Sequence, residues 1–291
     1  MKLRQWNALT MAVALCGCFA PQHPPVSGRV EREQLTALAV DETYRLFIRL
    51  PPGYDADPAR RFPLIVQLDA NLPTFEEFEL TAGLASGLEA SGEIPESIVV
   101  GIGYATGEEA RYERFRDLGL PLQDPEFKAA WTGLVPDGEA PKFFAFLKDE
   151  LLPWVESRYR VAGPQGRALF GHSLGGLFVL YAVTRHERAG LFTGYVAASP
   201  SIFWDGGQFL EQWAQLTDPT QPAVLFTAAG QLEGPEMVVF FDEFIERTQA
   251  MPFSRLSIES RKVQTDHVGS AAPIFQDGLK HLFAQGLRGE P

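Results

Sequence analysis

Residues 171–176 read Gly171-His172-Ser173-Leu174-Gly175-Gly176 and contain the spacing G-x-S-x-G. A serine whose hydroxyl has to stand clear of a sheet edge sits on a very sharp strand-to-helix turn, the nucleophile elbow. Side chains two residues to either side would collide in such a turn, and Gly171 and Gly175 remove them. The flanks agree with this reading. Arg167-Ala-Leu-Phe170 follows the turn Gly163-Pro-Gln-Gly166 and reads as a short buried strand. Leu174 to His186 has no proline, and its glycines lie only in the first turn, as a helix requires. Ser173 therefore stands at the start of a helix, where backbone N–H groups stabilise a developing oxyanion.

Working outward, strand and helix signals alternate. Thr43 to Leu50 alternates apolar and polar residues and is closed by Pro51-Pro-Gly-Tyr54. Pro63 to Leu68 and Ser97 to Ile102 are apolar runs without alternation. Thr74 to Ala90 reads as a helix. Lys142 to Tyr159 reads as a long amphipathic helix that Pro153 should kink. Phe192 to Ala198 and Pro222 to Ala228 read as strands, Pro235 to Ala250 as a helix, Ser254 to Val263 as an alternating strand and Ala271 to Leu287 as a final amphipathic helix. Non-alternating apolar strands need cover on both faces, and strands alternating with helices imply a mostly parallel sheet. The expectation is an α/β fold over residues 30–291, a central mostly parallel sheet with helices on both faces and an antiparallel early edge. Sites in such sheets lie at the carboxyl ends of the strands. Those ends are Asp69, Gly103, His172, Ser199 and Gly230. Tyr104 to Glu139 has little periodicity and many charges, and reads as a loop excursion over that end.

The chain has 291 residues, 45% of them hydrophobic, and a formal charge of −12. A nucleic-acid partner needs a basic face, and no basic run exists. The first residues read as a leader. Lys2 and Arg4 precede a short apolar core, Leu9 to Leu15, that is too short to span a bilayer permanently. Leu15-Cys16-Gly17-Cys18 resembles a bacterial lipobox, with Cys16 an unusual residue at its place. The expectation is a lipoprotein-type signal over residues 1–17, lipidation and membrane anchoring at Cys18 in the cell envelope, and a Pro-rich tether over 18–29. Both cysteines lie in this segment, so the folded body can hold neither a disulfide nor a thiolate metal site. No paired histidines have metal-ligand spacing and no phosphate-binding loop occurs, so neither a metal nor another cofactor is expected.

A serine hydroxyl is a poor nucleophile until a base takes its proton, and a carboxylate holds the base in the right tautomer. In this fold the chain order is serine, acid, histidine. The five histidines permit elimination. His23 is in the tether, His172 points elsewhere in an elbow, His186 ends the elbow helix, and His281 lies on the last helix, on its exposed side. His267 alone sits in a loop between the last strand and the last helix. The acid should follow the strand Ala223 to Thr227, which favours Glu233. Asp242 is the runner-up, inside the following helix; Asp266 is badly placed beside His267, and Asp205 follows an earlier strand. The oxyanion hole should use the Leu174 N–H and that of Asn71, with Ala70 close behind.

These residues resemble the putative-esterase branch of the α/β hydrolases, which includes enterochelin esterases, feruloyl-type esterases and mycolyltransferases. The resemblance runs from about Leu46 to Phe283. Leu50-Pro-Pro-Gly-Tyr54 is similar to the family's P-x-G-Y, and Leu68-Asp-Ala-Asn71 to its L-D-G-N. Val100-Gly-Ile-Gly-Tyr104 and Arg114-Phe-Arg-Asp117 resemble G-I-G-Y and R-x-x-D. Phe170 to Leu177, Ala198-Ser-Pro-Ser201 and Asp266-His-Val-Gly-Ser270 also match in order. Ala70 replaces a family glycine, and Gly119-Leu120 replaces Thr-Pro.

The resemblance implies Ser173 and His267 as the reacting pair and a glutamate at Glu233, although some siderophore-esterase relatives work as a serine–histidine dyad. It puts Arg114 near the substrate; the plain alternative is an ion pair with Asp117. The implied activity is hydrolysis of a small carboxylic ester through an acyl-enzyme, with siderophore triesters as a substrate class. Transfer of the acyl group to an alcohol, or ligand binding without catalysis, are the alternatives.

Overall fold

The computed structural model describes residues 24–71, 78–104, 108–186 and 190–288. The leader, Cys18, most of the tether and the expected helical residues 74–77 lie outside them. Eight strands form one sheet in the order β1-β2-β4-β3-β5-β6-β7-β8. β1 (Arg29–Ala37) and β2 (Glu42–Leu50) pair antiparallel, and β2 pairs antiparallel with β4 (Ile98–Gly103). From β4 onward, β3 (Leu64–Gln67), β5 (Arg167–His172), β6 (Gly194–Ala198), β7 (Ala223–Gly230) and β8 (Leu256–Val263) all run parallel. β4 lies on one side of β3 and β5 on the other. The crevice between β3 and β5 is thus a switch point of the sheet, and the turn at Ser173 rises beside it.

The central strands are buried on both faces, which is why their runs do not alternate. Ile65, Val99, Phe170, Val196 and Phe226 pack on one side against α1 (Phe78–Ala90) and α9 (Ala271–Ala284). Leu64, Val66, Val100, Leu169 and Leu225 face the opposite layer. That layer holds α4 (Ala140–Phe146), α5 (Leu152–Arg158), α6 (Leu174–Thr184), α7 (Phe209–Ala214) and α8 (Pro235–Gln249). The expected kink at Pro153 takes the form of a π-helical turn, Leu147–Leu151, between α4 and α5. Proline lacks the N–H of a regular ladder, and a wider turn before it absorbs the mismatch.

The described residues of 104–139 depart from the expected loop. They hold α2 (Glu108–Leu118) and α3 (Pro125–Trp131). α2 hides from periodicity because its inward face carries charge: Glu113, Arg114 and Asp117 are buried. Its anchors are polar as well. Asp205, buried and held at φ 52°, accepts from the N–H groups of Gln123 and Asp124. Trp204 donates its indole N–H to Leu120 O and packs against Phe115 and Phe127.

Candidate active site

The turn after β5 is as sharp as its spelling demands. Ser173 has φ 58° and ψ −119°, a region costly for any residue with a side chain. A Cβ on Gly171 would lie 2.5 Å from Gly175 O, and one on Gly176 2.6 Å from Ala198 O. The last glycine of the hexapeptide is thus as necessary as the first, because it lets α6 approach the end of β6. Ser173 N–H donates to Ala198 O at 2.9 Å, and Ser173 O accepts from Leu177 and Ser201. Its neighbours His172 and Leu174 are buried, but Ser173 itself is half-buried, with Oγ 3.2 Å from Ser201 Oγ. Leu174 opens α6, so its N–H has no acceptor within the helix.

The second expected oxyanion donor lies at the end of β3. Ala70 N–H is committed to Ile102 O at 2.9 Å, which removes it from the choice. Asn71 is fixed instead by its side chain, which donates to Tyr104 O at 2.7 Å and accepts from Tyr104 N–H at 2.8 Å. A Cβ on Gly103 would lie 2.6 Å from Asn71 Oδ1, so the bare backbone of β4 makes room for this clasp.

His267 and Glu233 meet across the ends of β7 and β8. His267 Nδ1 lies 2.8 Å from Glu233 Oε2. The other carboxylate oxygen accepts from Gly230 N–H and from Ser199 Oγ, each at 2.5 Å. Burial alone would raise this carboxyl. The bonds from His267, Ser199 and Gly230 outweigh it and hold Glu233 below the ordinary carboxylate range. Asp242 is turned outward to Lys262, Asp266 accepts from Gly269 N–H, and Asp205 anchors the excursion, so the runner-up acids are engaged elsewhere.

His172 points toward His267, not away from the constellation. Its ring centroid lies 4.6 Å from that of His267, and Nε2 is 2.9 Å from His267 O. Burial first, then His267 and Arg114, hold it well below the usual histidine range, so the ring is neutral. His281 is also turned inward, half-buried with its ring 5.6 Å from Phe226, against the exposed placement expected of it.

Arg114 is 9% exposed and lies beneath the elbow. Its Nε is 2.9 Å from Asp69 Oδ1, and its Nη2 donates to His172 O at 3.4 Å. The alternative partner, Asp117, belongs to Arg116 and to the Tyr44 hydroxyl. Asp69 is itself strained, at φ 57°, and a Cβ on Gly175 would sit 3.2 Å from its Oδ2. Sequence reasoning missed this pair, and gave Ser199 and Ser270 no role. The one available signal was their place, Ser199 at a strand end and Ser270 closing the Asp266-to-Ser270 motif. Among the described residues no group of acidic, histidine or cysteine side chains is placed to hold a metal ion.

A strained serine, a histidine oriented by a carboxylate and free N–H groups at a helix start are the parts of an acyl-transfer site. The chain matches the "Putative esterase" family over residues 38–227. It belongs to that family. Ferri-bacillibactin esterase BesA of Bacillus subtilis (strain 168) is 34% identical over 199 residues, covering 66% of this chain and 67% of BesA. The IroE-like serine hydrolase from Shewanella oneidensis superposes with a TM-score of 0.73 at 25% identity, over 88% of this chain and 80% of that one. The BES protein from Bacillus cereus shares the fold with a TM-score of 0.76 at 24% identity, over 90% and 98% of the two chains. This esterase is thus a serine hydrolase of the α/β-hydrolase type that cleaves carboxylic esters.

Proposed function

We propose that Ser173 is the nucleophile, His267 its general base and Glu233 the acid that orients His267, and that the substrates are siderophore esters. The observation that carries the reading is the 2.8 Å contact between His267 Nδ1 and Glu233 Oε2. An ionised Glu233 only accepts, so in this reading His267 carries its proton on Nδ1 and Nε2 accepts the proton of Ser173. Attack on the ester carbonyl gives a tetrahedral oxyanion, received by the N–H groups of Leu174 and Asn71. His267 then protonates the leaving alcohol, and water repeats the sequence to release the acid. The siderophore assignment rests on the named specificity of BesA. Hydrolysis of catecholate trilactones and short p-nitrophenyl esters, compared between wild type and Ser173→Ala, tests both parts. Turnover of simple esters without any of trilactones removes the substrate class; turnover by Ser173→Ala removes the mechanism.

Lipid attachment at Cys18 is part of the same proposal. Its support is the sequence Leu15-Cys-Gly-Cys18 behind a basic, apolar leader. Expression in a bacterial host should put the wild type in the membrane fraction and Cys18→Ser in the soluble one.

A further inference from the structure

Beside the reacting groups lies a second set of polar side chains that the mechanism does not use. Ser199, the first residue after β6, is 0% exposed and has φ 40°. Its Oγ is 2.5 Å from Glu233 Oε1 and 2.7 Å from Ser270 Oγ. Ser270, also 0% exposed, has Oγ 2.8 Å from His267 O and 3.0 Å from His172 Nε2. His172 Nε2 reaches the same carbonyl at 2.9 Å.

The protons on this chain can be placed by chemistry. An ionised carboxylate only accepts, so Ser199 donates to Glu233, and its remaining lone pairs face Ser270. A carbonyl only accepts, so His172 carries its proton on Nε2 and shares it between His267 O and Ser270 Oγ. Ser270 then donates to Ser199 or to His267 O. Each donor thus reaches the Glu233 carboxylate or the His267 main chain directly or through the next hydroxyl. Glycine would take φ 40° without strain, so the hydroxyl is what serine adds at position 199.

We propose that Ser199 and Ser270 are positioning residues, a hydroxyl relay from His172 that fixes Glu233 with Oε2 toward His267 and clamps the backbone of His267 itself. This rests on the reading of Ser173, His267 and Glu233 given above. The relay ties three strand ends together: His172 closes β5, Ser199 follows β6, and Glu233 lies just beyond β7. The charged and titratable groups facing it are Glu233, His267, His172, Arg114 with its partner Asp69, and Asp266 on the same turn as Ser270.

Ser199→Gly removes the hydroxyl while relieving the backbone, so folding should be kept or improved. It is expected to lower kcat about ten- to a hundredfold, the range for one charge-assisted hydrogen bond, with KM held within about twofold. Without that donor Glu233 retains more negative charge and favours the imidazolium, so the acid limb of the kcat/KM profile should move to higher pH. Ser270→Ala should move it in the same direction by less. Wild-type kcat and an unmoved acid limb in Ser199→Gly overturn the proposal, as does a loss of kcat without that shift. If Ser199→Gly does not fold, Ser270→Ala decides by the same two readouts. Fluorophosphonate labelling separates the layers. An unlabelled, well-folded wild type defeats the catalytic reading and the relay together. A labelled wild type with Ser199→Gly indistinguishable from it defeats the relay alone.

Discussion

Arg114 Nε stands 2.9 Å from Asp69 Oδ1, beneath the elbow whose His172 carbonyl the same guanidinium reaches at 3.4 Å. One cation thus fastens the end of β3, which carries Asn71, to the end of β5, which carries Ser173. Burial pushes the Asp69 carboxyl up, and Arg114 opposes that shift. Removing the cation leaves a desolvated carboxyl with no counter-charge. Arg114→Met should therefore cost about 3–5 kcal/mol in urea unfolding, as broken buried pairs do. The double change with Asp69→Asn should cost much less than the sum of the singles. Additive losses would mean that the two side chains are not coupled.

Ser173 is held at φ 58°, and its strain separates stability from activity. Ser173→Ala and Ser173→Gly should both lose esterase activity. Alanine keeps the unfavourable backbone, whereas glycine relaxes it. Unfolding free energies from denaturant titration should rank the glycine variant above the alanine variant by about 1 kcal/mol. The reverse order would show that the turn is not strained in solution.

This strain illustrates what could be read from the chain and what could not. The turn was legible because Gly171 and Gly175 are local demands of one bend, and the parallel strands because Ile98-Val-Val100 and its counterparts are apolar on both faces. The meeting of Glu233 with His267 was legible from chain order, since the acid was sought after the strand Ala223 to Thr227 and ahead of the histidine. α2 was not, because a helix that buries Arg114 and Asp117 has no apolar stripe to reveal it. The relay was not legible either. Ser199 meets Glu233 across 34 residues and His172 meets Ser270 across 98, distances over which no sequence period operates.

Glu233→Gln tests the orienting role with little change of shape. Oε1 receives two donors, from Gly230 and Ser199, so a glutamine should place its carbonyl there. Its NH2 then faces His267 Nδ1, which has to become an acceptor. The imidazole is forced into the tautomer with its proton on Nε2, and a general base for Ser173 is lost. The expected fall in kcat is about 10³- to 10⁴-fold, with binding little altered. A fall of less than about tenfold would point to a serine–histidine dyad that does not need the carboxylate.

The neutral His172 ring should weaken the fold as pH falls below the ordinary histidine range. His172 sits well below the ordinary histidine range when folded, through burial and the nearby His267 and Arg114. Below about pH 6.5 the unfolded chain takes up a proton at this position and the folded chain does not. Its contribution to stability is therefore complete above that pH and is lost as pH falls toward the folded value, by about 1.4 kcal/mol per unit. His281, lowered in the same direction by burial, adds to the slope. Glu233 is lowered too, so its contribution is present above the ordinary glutamate value of 4.5 and fails only at more acid pH. Asp69, Glu89 and Asp117 are raised by burial and act in the opposite sense, so the contribution of His172 is read from urea midpoints between pH 8 and pH 5 as the difference between wild type and a variant. In His172→Gln, which keeps a donor near the Nε2 position but cannot titrate, the slope should be reduced by about one proton. An unchanged slope in that variant would mean that His172 takes up its proton equally in the folded and the unfolded chain, and the depressed, neutral ring behind His267 would have to be abandoned.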